Sequence, residues 1–131
     1  MPRVTLKPNR QQRNVTTLRR PACAREDFMT TVPFDQLDGF IWMNGQFIKW
    51  ADAKVHVLTH SLHYGGAVFE GERAYGGEIF KLTEHSERLH ESARLLGYTI
   101  PYSVAEIDDA CRKLLKMQDF QDAYVRPVAW R

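Results

Sequence analysis

The sequence is poor in cysteine and contains no long apolar run. Cys23 and Cys111 are the two cysteines among 131 residues, so we expect no disulfide framework, and a reducing, cytoplasmic environment fits. No apolar stretch approaches the roughly 20 residues that a helix needs to cross a bilayer. The longest candidates, such as 39–42, have the length of a strand. These absences predict a soluble protein with no membrane partner.

Basic residues are concentrated at the start of the chain. Residues 1–28 hold seven of the 18 lysines and arginines but two of the 16 acidic residues, so the rest is mildly acidic. The sequence pI of about 8.6 is therefore no argument for nucleic-acid binding by the remaining domain. The basic segment is arginine-rich like a transit peptide but lacks serine, which leaves organellar targeting as an alternative. We expect 1–35 to be a disordered leader and 36–131 to be one folded domain.

The glycines and serines match no familiar phosphate or nucleophile motif. Gly65, Gly66 and Gly71 follow neither the G-x-G-x-x-G pattern nor a Walker loop. Glycines that serve turns and close packing are the better interpretation. Ser61 and Ser86 lack a G-x-S-x-G context, so neither is predicted to be an activated nucleophile.

Three histidines are spaced so that they would meet on one helix. His56, His60 and His63 lie four and three residues apart, a spacing that a zinc site can use. However, 55–58 looks extended, and no H-E-x-x-H pattern or carboxylate partner accompanies the histidines. We therefore expect no metal, and the roles of His60 and His63 stay open.

Turn signals divide the middle of the chain into short strands. Asn44-Gly45 is typical of a tight hairpin, because a type I′ turn needs positive φ at both central residues. Gly76-Gly77 predicts a second hairpin. The predicted strands are 40–43, 46–49, 55–58, 68–75, 78–82 and 123–125.

Two helices are predicted after the second hairpin. The first covers about 84–96, with Thr83 as its N-cap and Gly97 as its terminator. The second begins where Ser103 and Glu106 have the spacing of a capping box. The stripes that these helices would bury are Leu89, Ala93 and Leu96 in the first, and Val104, Ile107, Cys111, Leu114 and Leu115 in the second. Strands followed by helices predict an α+β fold, with an antiparallel sheet of hairpins packed against two helices.

Three stretches carry a resemblance to a known family. They are WMNGQFIKWADAKVHVLTHSLHYGGAVFEGERAY, HSERLHESARLL and DAYVRPVAW. Together they resemble the N-terminal small domain of a branched-chain amino acid aminotransferase of pyridoxal-phosphate fold type IV, over about 40–131. The resemblance implies transfer of the amino group of leucine, isoleucine or valine to 2-oxoglutarate through pyridoxal 5'-phosphate. It also implies a homo-oligomer built from dimers.

The resemblance assigns roles to individual residues. Arg88, in HSERLH, corresponds to the arginine that grips the cofactor phosphate, a role that suits the planar fork of guanidinium donors. Arg126 is the candidate for the side-chain carboxylate of glutamate, and Tyr64 would reach the pocket from the partner subunit. The full implied substrate-binding set is Tyr64, Phe69, Gly71, Arg73, Tyr124 and Arg126.

The sequence departs from the family in what it lacks. The lysine that carries the cofactor as a Schiff base lies in a C-terminal domain of the family, beyond the position of Arg131, and Lys54 and Lys81 do not match it. We therefore expect this chain, a fragment or a truncated product, to hold part of a site and not to transaminate by itself. The alternatives are an aminodeoxychorismate lyase or another fold type IV enzyme, and a non-catalytic dimerisation or binding module.

Overall fold

The computed structural model describes residues 33–131, which form short antiparallel strands and three α-helices. Most of the leader expected at 1–35 lies outside the described residues, and its end forms part of a 3-10 turn at Phe34–Gln36. None of the described helices is long and apolar enough to cross a membrane. The strands are β1 (Phe40–Met43), β2 (Gln46–Lys49), β3 (Ala67–Phe69), β4 (Glu72–Tyr75), β5 (Glu78–Ile79), β6 (Ala123–Val125) and β7 (Val128–Trp130), and the helices are α1 (His60–Tyr64), α2 (Leu82–Leu95) and α3 (Val104–Met117).

The first hairpin is confirmed in position and turn type. β1 and β2 pair with Met43 opposite Gln46, so Asn44 and Gly45 form a two-residue turn with φ of 50° and 85°. Gln118 near the end of α3 holds this hairpin, because its side chain bonds both the backbone N–H and the carbonyl of Phe40.

The predicted continuous strand at 68–75 is wrong, because the chain changes partners in its middle. β3 pairs with β7, whereas β4 lies between β5 and β6 in another sheet. The break falls at Glu70 and Gly71. The turn at Gly76-Gly77 is confirmed, but the following strand is short, since β5 ends at Ile79 and α2 starts at Leu82.

No strand forms at 55–58, contrary to the prediction. Val55, Val57 and Leu58 are exposed, and the local hydrogen bonds turn the chain: Leu58 N–H donates to the His56 ring and Thr59 N–H to the His56 carbonyl. Apolar residues alone do not make a strand where no neighbouring strand offers hydrogen bonds. The short helix α1 follows, which the sequence patterns did not predict.

Helix α2 starts earlier than predicted, and it buries two of the three residues of the predicted stripe, Leu89 and Ala93. Thr83 lies inside it and is not its N-cap. The expected termination at Gly97 is confirmed, because Gly97 takes a φ of 79° and the N–H groups of Gly97 and Tyr98 bond back to Arg94 and Ala93 in a Schellman pattern. Leu96 is exposed instead of buried, and the buried stripe is Leu82, Ser86, Leu89 and Ala93.

Helix α3 forms as predicted. Ser103 and Glu106 make the reciprocal bonds of a capping box. Cys111 is buried, and burial raises the pKa of its thiol to about 12. The core between the helices and strands consists of Leu82, Leu89, Ala93, Ile100, Ile107 and Cys111. The α+β class is thus confirmed, although the strands form three small antiparallel sheets and not one.

Candidate functional site

Four of the residues with implied substrate roles meet on one face, which we call the aromatic face: Phe69, Gly71, Tyr124 and Arg126. Arg126 places its guanidinium 3.9 Å from the centre of the Phe69 ring, a cation–π contact. Strand pairing places Arg73 opposite Tyr124, so Arg73 borders the same face. Arg73 also stacks on Tyr75, at 5.6 Å from the ring centre.

Gly71 allows Tyr124 to come unusually close to the backbone. A Cβ at Gly71 would lie 2.6 Å from the Tyr124 hydroxyl and 3.3 Å from two carbons of its ring. The first distance is shorter than any normal non-bonded contact to a Cβ. The position of the Tyr124 ring therefore depends on the glycine.

Gly71→Ala is expected to displace the Tyr124 side chain while costing less than about 1 kcal/mol of unfolding free energy, because the clash is with the movable end of a half-exposed residue. Displacement is measured by the chemical shifts of the Tyr124 ring protons, and stability by denaturant titration. Gly66→Ala is the control, since its nearest neighbour would be the His60 ring at 3.3 Å and Tyr124 is not involved. Unchanged Tyr124 shifts in the Gly71 variant would contradict the expected displacement.

Arg88 is held by a buried carboxylate. Its Nε and Nη2 donate to the two oxygens of Glu70 at 2.8 and 2.6 Å. The Glu70 side chain is 6% exposed and that of Arg88 is 65% exposed. Hydrogen bonds from Arg88 and from His85 hold the pKa of Glu70 down at about 2, against the opposing effect of burial. The cluster therefore keeps its carboxylate ionised at any working pH.

The same carboxylate fixes the tautomer of His85. His85 Nδ1 lies 2.8 Å from Glu70 Oε2 and 3.3 Å from Arg88 Nη2. The shorter contact decides the tautomer: an ionised carboxylate only accepts, so Nδ1 carries a hydrogen and donates it to Glu70, and the guanidinium nitrogen, which only donates, makes no hydrogen bond to Nδ1. Nε2 is then the nitrogen of His85 that can bind something else.

Two cavities lie near these residues. A small pocket of about 210 Å³ is lined by Lys81, Glu84, His85 and Arg88. A larger cavity of about 690 Å³ lies between the first hairpin, α3 and the final strands, and Tyr124 and Arg126 are in its lining. The lining of the larger cavity does not include Arg88, Lys81 or Arg73. The larger cavity therefore lacks the cluster of cations that a phosphate needs.

Tyr64 does not join the aromatic face through any contact among the described residues. It ends α1, is 77% exposed, and packs its ring against His60 at 4.7 Å. His63 donates its Nε2 hydrogen to the Val57 carbonyl at 2.8 Å. Within 33–131, no group of three side chains is arranged to hold a metal ion.

Sequence reasoning missed Glu70 and His85. Acidic residues in a strand are normally assigned to solvent, yet Glu70, Glu72 and Ala74 are buried while Arg73 and Tyr75 are exposed. The available signal was that successive side chains of an extended segment point to opposite faces. Over 68–75 this rule puts Phe69, Gly71 and Arg73 on one face and the two glutamates on the other.

The sequence comparisons agree with the expected family. Residues 67–131 match the amino-transferase class IV family. A probable branched-chain-amino-acid aminotransferase of Rickettsia felis is 51% identical over 102 residues, which are 78% of this chain and 35% of that protein. The chain therefore spans about a third of the length of the curated relatives it matches.

Solved structures confirm the expected small-domain fold. The crystal structure of the Escherichia coli branched-chain amino acid aminotransferase matches with a TM-score of 0.69 at 40% identity, over 72% of this chain and 32% of that one. The branched-chain aminotransferase of Thermoproteus uzoniensis, a thermophilic archaeon, was solved with norvaline and matches with a TM-score of 0.68 at 39% identity, over 71% and 33%. Another branched-chain amino acid aminotransferase, complexed with N-(5'-phosphopyridoxyl)-L-glutamate, matches with a TM-score of 0.68 at 42% identity, over 71% and 33%. The chain therefore belongs to the class IV aminotransferase family.

Proposed function

We propose that this chain forms the N-terminal part of a branched-chain amino acid aminotransferase that uses pyridoxal 5'-phosphate. It would transfer the amino group of leucine, isoleucine or valine to 2-oxoglutarate. The observation that carries the proposal is the aromatic face, where Arg126 lies on Phe69 and Tyr124 fits against Gly71. The names of the relatives favour this activity over the lyase alternative.

The cofactor phosphate fits the small pocket at α2. Arg88 is mostly exposed there, and its Nε and Nη2 are the nitrogens that bond Glu70, so Nη1 remains for an anion. Lys81 lines the same pocket and adds a second cation, although Glu84 lies 3.6 Å from its ammonium group. When bound, pyridoxal phosphate supplies an electron sink for the amino acid carbon. The part of this chain is to hold and orient the phosphate.

The aromatic face fits both kinds of substrate side chain. The Phe69 and Tyr124 rings form apolar walls for a branched aliphatic group, and the absent side chain of Gly71 leaves room beside them. Arg126 offers a charged fork to the second carboxylate of glutamate. Stacking on Phe69 keeps that guanidinium over the pocket wall, so the same face serves leucine and glutamate in turn.

The active form in this proposal is a cytoplasmic homo-oligomer built from dimers. Val57, Leu58, Leu62 and Tyr64 are each more than 60% exposed in the segment around α1. Contiguous exposed apolar residues are typical of an interface between subunits. Tyr64 would then reach the aromatic face of the partner subunit.

Arg126→Ala in the full-length enzyme is expected to lower kcat/KM for glutamate by roughly 10- to 100-fold, the range for losing a hydrogen bond between charged groups. The value for leucine should change much less, because leucine has no second carboxylate. Both constants are measured as initial rates with saturating cosubstrate. Arg94→Ala is the control, since Arg94 is exposed and paired with Glu91. Equal losses for both substrates would contradict the role of Arg126.

The activity itself is tested by incubating the full-length protein with leucine and 2-oxoglutarate and measuring the glutamate that forms. We expect glutamate at a rate proportional to enzyme concentration. Conversion of aminodeoxychorismate without any glutamate formation would favour the lyase alternative.

A further inference from the structure

We propose that Glu70 is a positioning residue that fixes the guanidinium of Arg88 so that it can bind the phosphate. This inference rests on the proposed function, because it assigns a partner to the phosphate-binding arginine. The role is distinct from catalysis, since Glu70 acts through Arg88 and has little exposure of its own.

Burial makes the Glu70–Arg88 pair different from an ordinary surface pair. Arg94 and Glu91, on the same helix, have nearly identical bond lengths of 2.7 and 2.6 Å, but both side chains are more than half exposed. Such exposed pairs are easily broken by solvent. The Glu70 carboxylate is shielded from water, and it is held further by His85. Arg88 therefore lies against a fixed anchor, which removes much of the rotamer entropy that anion binding would otherwise cost.

The location of Glu70 connects the phosphate pocket with the aromatic face. It lies between Phe69 and Gly71, at the point where the chain passes from β3 to β4. Its backbone N–H donates to the carbonyl of Pro127 at 3.0 Å, next to Arg126. One residue thus fixes the cofactor-side arginine through its side chain and the substrate-side segment through its backbone.

A charge effect of Glu70 and a positioning effect of Glu70 predict opposite changes in phosphate affinity for Glu70→Gln. If Glu70 influenced the site by its charge alone, removing this negative charge would strengthen phosphate binding. If Glu70 positions Arg88, glutamine keeps one acceptor, loses the bidentate grip and weakens binding. The sign of the change in affinity therefore separates the two effects.

The test compares pyridoxal 5'-phosphate with pyridoxal, which lacks the phosphate, by measuring both dissociation constants for the full-length protein. Glu70→Gln is expected to weaken binding of the phosphate form by roughly 10- to 100-fold, as when an orienting partner is removed from a metal ligand, with little effect on pyridoxal. Arg88→Lys should likewise weaken binding of the phosphate form with little effect on pyridoxal, because lysine keeps the positive charge but lacks the planar pair of guanidinium donors. The double variant Glu70→Gln/Arg88→Ala should bind no more weakly than Arg88→Ala.

Several results would overturn the inference. These are tighter or unchanged binding of the phosphate form by Glu70→Gln, equal losses for both ligands, and additive effects in the double variant. If the wild-type protein and Arg88→Ala both bind the two ligands equally well, the phosphate role of Arg88 in the proposed function fails, and this inference fails with it.

A second readout needs no ligand. In nuclear magnetic resonance spectra the Nε–H of Arg88 should exchange slowly with water in the wild-type protein and quickly in folded Glu70→Gln. The Nε–H of Arg94 should exchange quickly in both proteins, because its partner Glu91 is exposed. Fast exchange at Arg88 in the wild-type protein would contradict a fixed guanidinium even if cofactor binding followed the expected pattern.

Discussion

Glu72→Gln is expected to stabilise the protein by a few kcal/mol at about pH 8 and to have little effect at about pH 3, where the glutamate is protonated in both the folded and the unfolded state. Glu72 is fully buried in β4, and neither carboxylate oxygen has a hydrogen-bond partner among the described residues. Burial raises the pKa of Glu72 from 4.5 to about 7, against an opposing effect of His85 and with smaller raising contributions from Glu70 and Asp108. Glutamine has nearly the shape of the protonated acid, and unlike glutamate it stays uncharged at high pH.

The ionisation of Glu72 lowers the stability of the folded state as the pH rises, because its pKa is higher in the folded than in the unfolded state. Well below pH 4.5 Glu72 holds its proton in both states, and no stability is lost. Between 4.5 and about 7 the unfolded chain releases this proton while the folded protein keeps it, so stability falls with rising pH, by up to about 1.4 kcal/mol per unit. Above about pH 7 Glu72 is ionised in both the folded and the unfolded state. The free energy of unfolding then stays lower by an amount on the order of 3 kcal/mol.

The measurement is the free energy of unfolding in denaturant, taken at several pH values for the wild type and the variant. The two curves should converge at acid pH and separate as the pH rises. Glu78→Gln is the matched control, because Glu78 lies on the neighbouring strand β5 but is exposed. Parallel curves for the wild type and Glu72→Gln would contradict a buried, uncharged glutamic acid.

The parts of the fold that could be predicted from the sequence depend on local chemistry. The Asn44-Gly45 turn, the Schellman ending at Gly97 and the capping box of α3 each involve residues within a few positions of one another. The errors involve distant partners. The strand expected at 68–75 divides because β7 and β6 pair with different parts of it, and both of these strands lie far along the chain, at Val128–Trp130 and Ala123–Val125.

The candidate site also contains residues that could be predicted from the sequence and residues that could not. Family resemblance supplied Arg88, Phe69, Gly71 and Tyr124, and strand alternation explained why Phe69 and Gly71 share a face. Neither could show which carboxylate meets Arg88, because Glu70 reaches it across 18 positions of sequence. Polar residues that are buried for their partners have no signature in a hydrophobicity pattern.

The buried acids connect the core with the site. Glu70, Glu72 and Asp108 are all under 6% exposed, and they differ in what surrounds them. Glu70 has cationic partners and stays ionised, whereas Glu72 has no hydrogen-bond partner among the described residues, and its raised pKa lets it keep its proton up to about pH 7. Asp108 accepts hydrogen bonds from two hydroxyl groups of α2. Position in the fold, more than residue type, therefore decides whether each carboxyl serves binding or stability.

Asp108→Ala is expected to lower the free energy of unfolding by roughly 2 to 4 kcal/mol, because a buried charge-assisted network is removed. Asp108 accepts bonds from the hydroxyl groups of Thr83 and Ser86, each at 2.6 Å, and so joins α3 to α2. Ser86 is fully buried, so its hydroxyl would lose its partner without gaining access to water. For a domain of this size, the melting temperature should fall by at least about 8 °C.

The adjacent Asp109 provides the control for this prediction. Asp109 lies on the same turn of α3, but it is exposed and pairs with Lys113 on the surface at 2.6 Å. Asp109→Ala should change stability by less than about 1 kcal/mol, as is usual for exposed ion pairs. Ser86→Ala combined with Asp108→Ala should cost less than the sum of the single changes, because both remove the same hydrogen bond. Equal destabilisation by the two aspartate substitutions would mean that the link between the helices depends on apolar packing and not on the buried carboxylate.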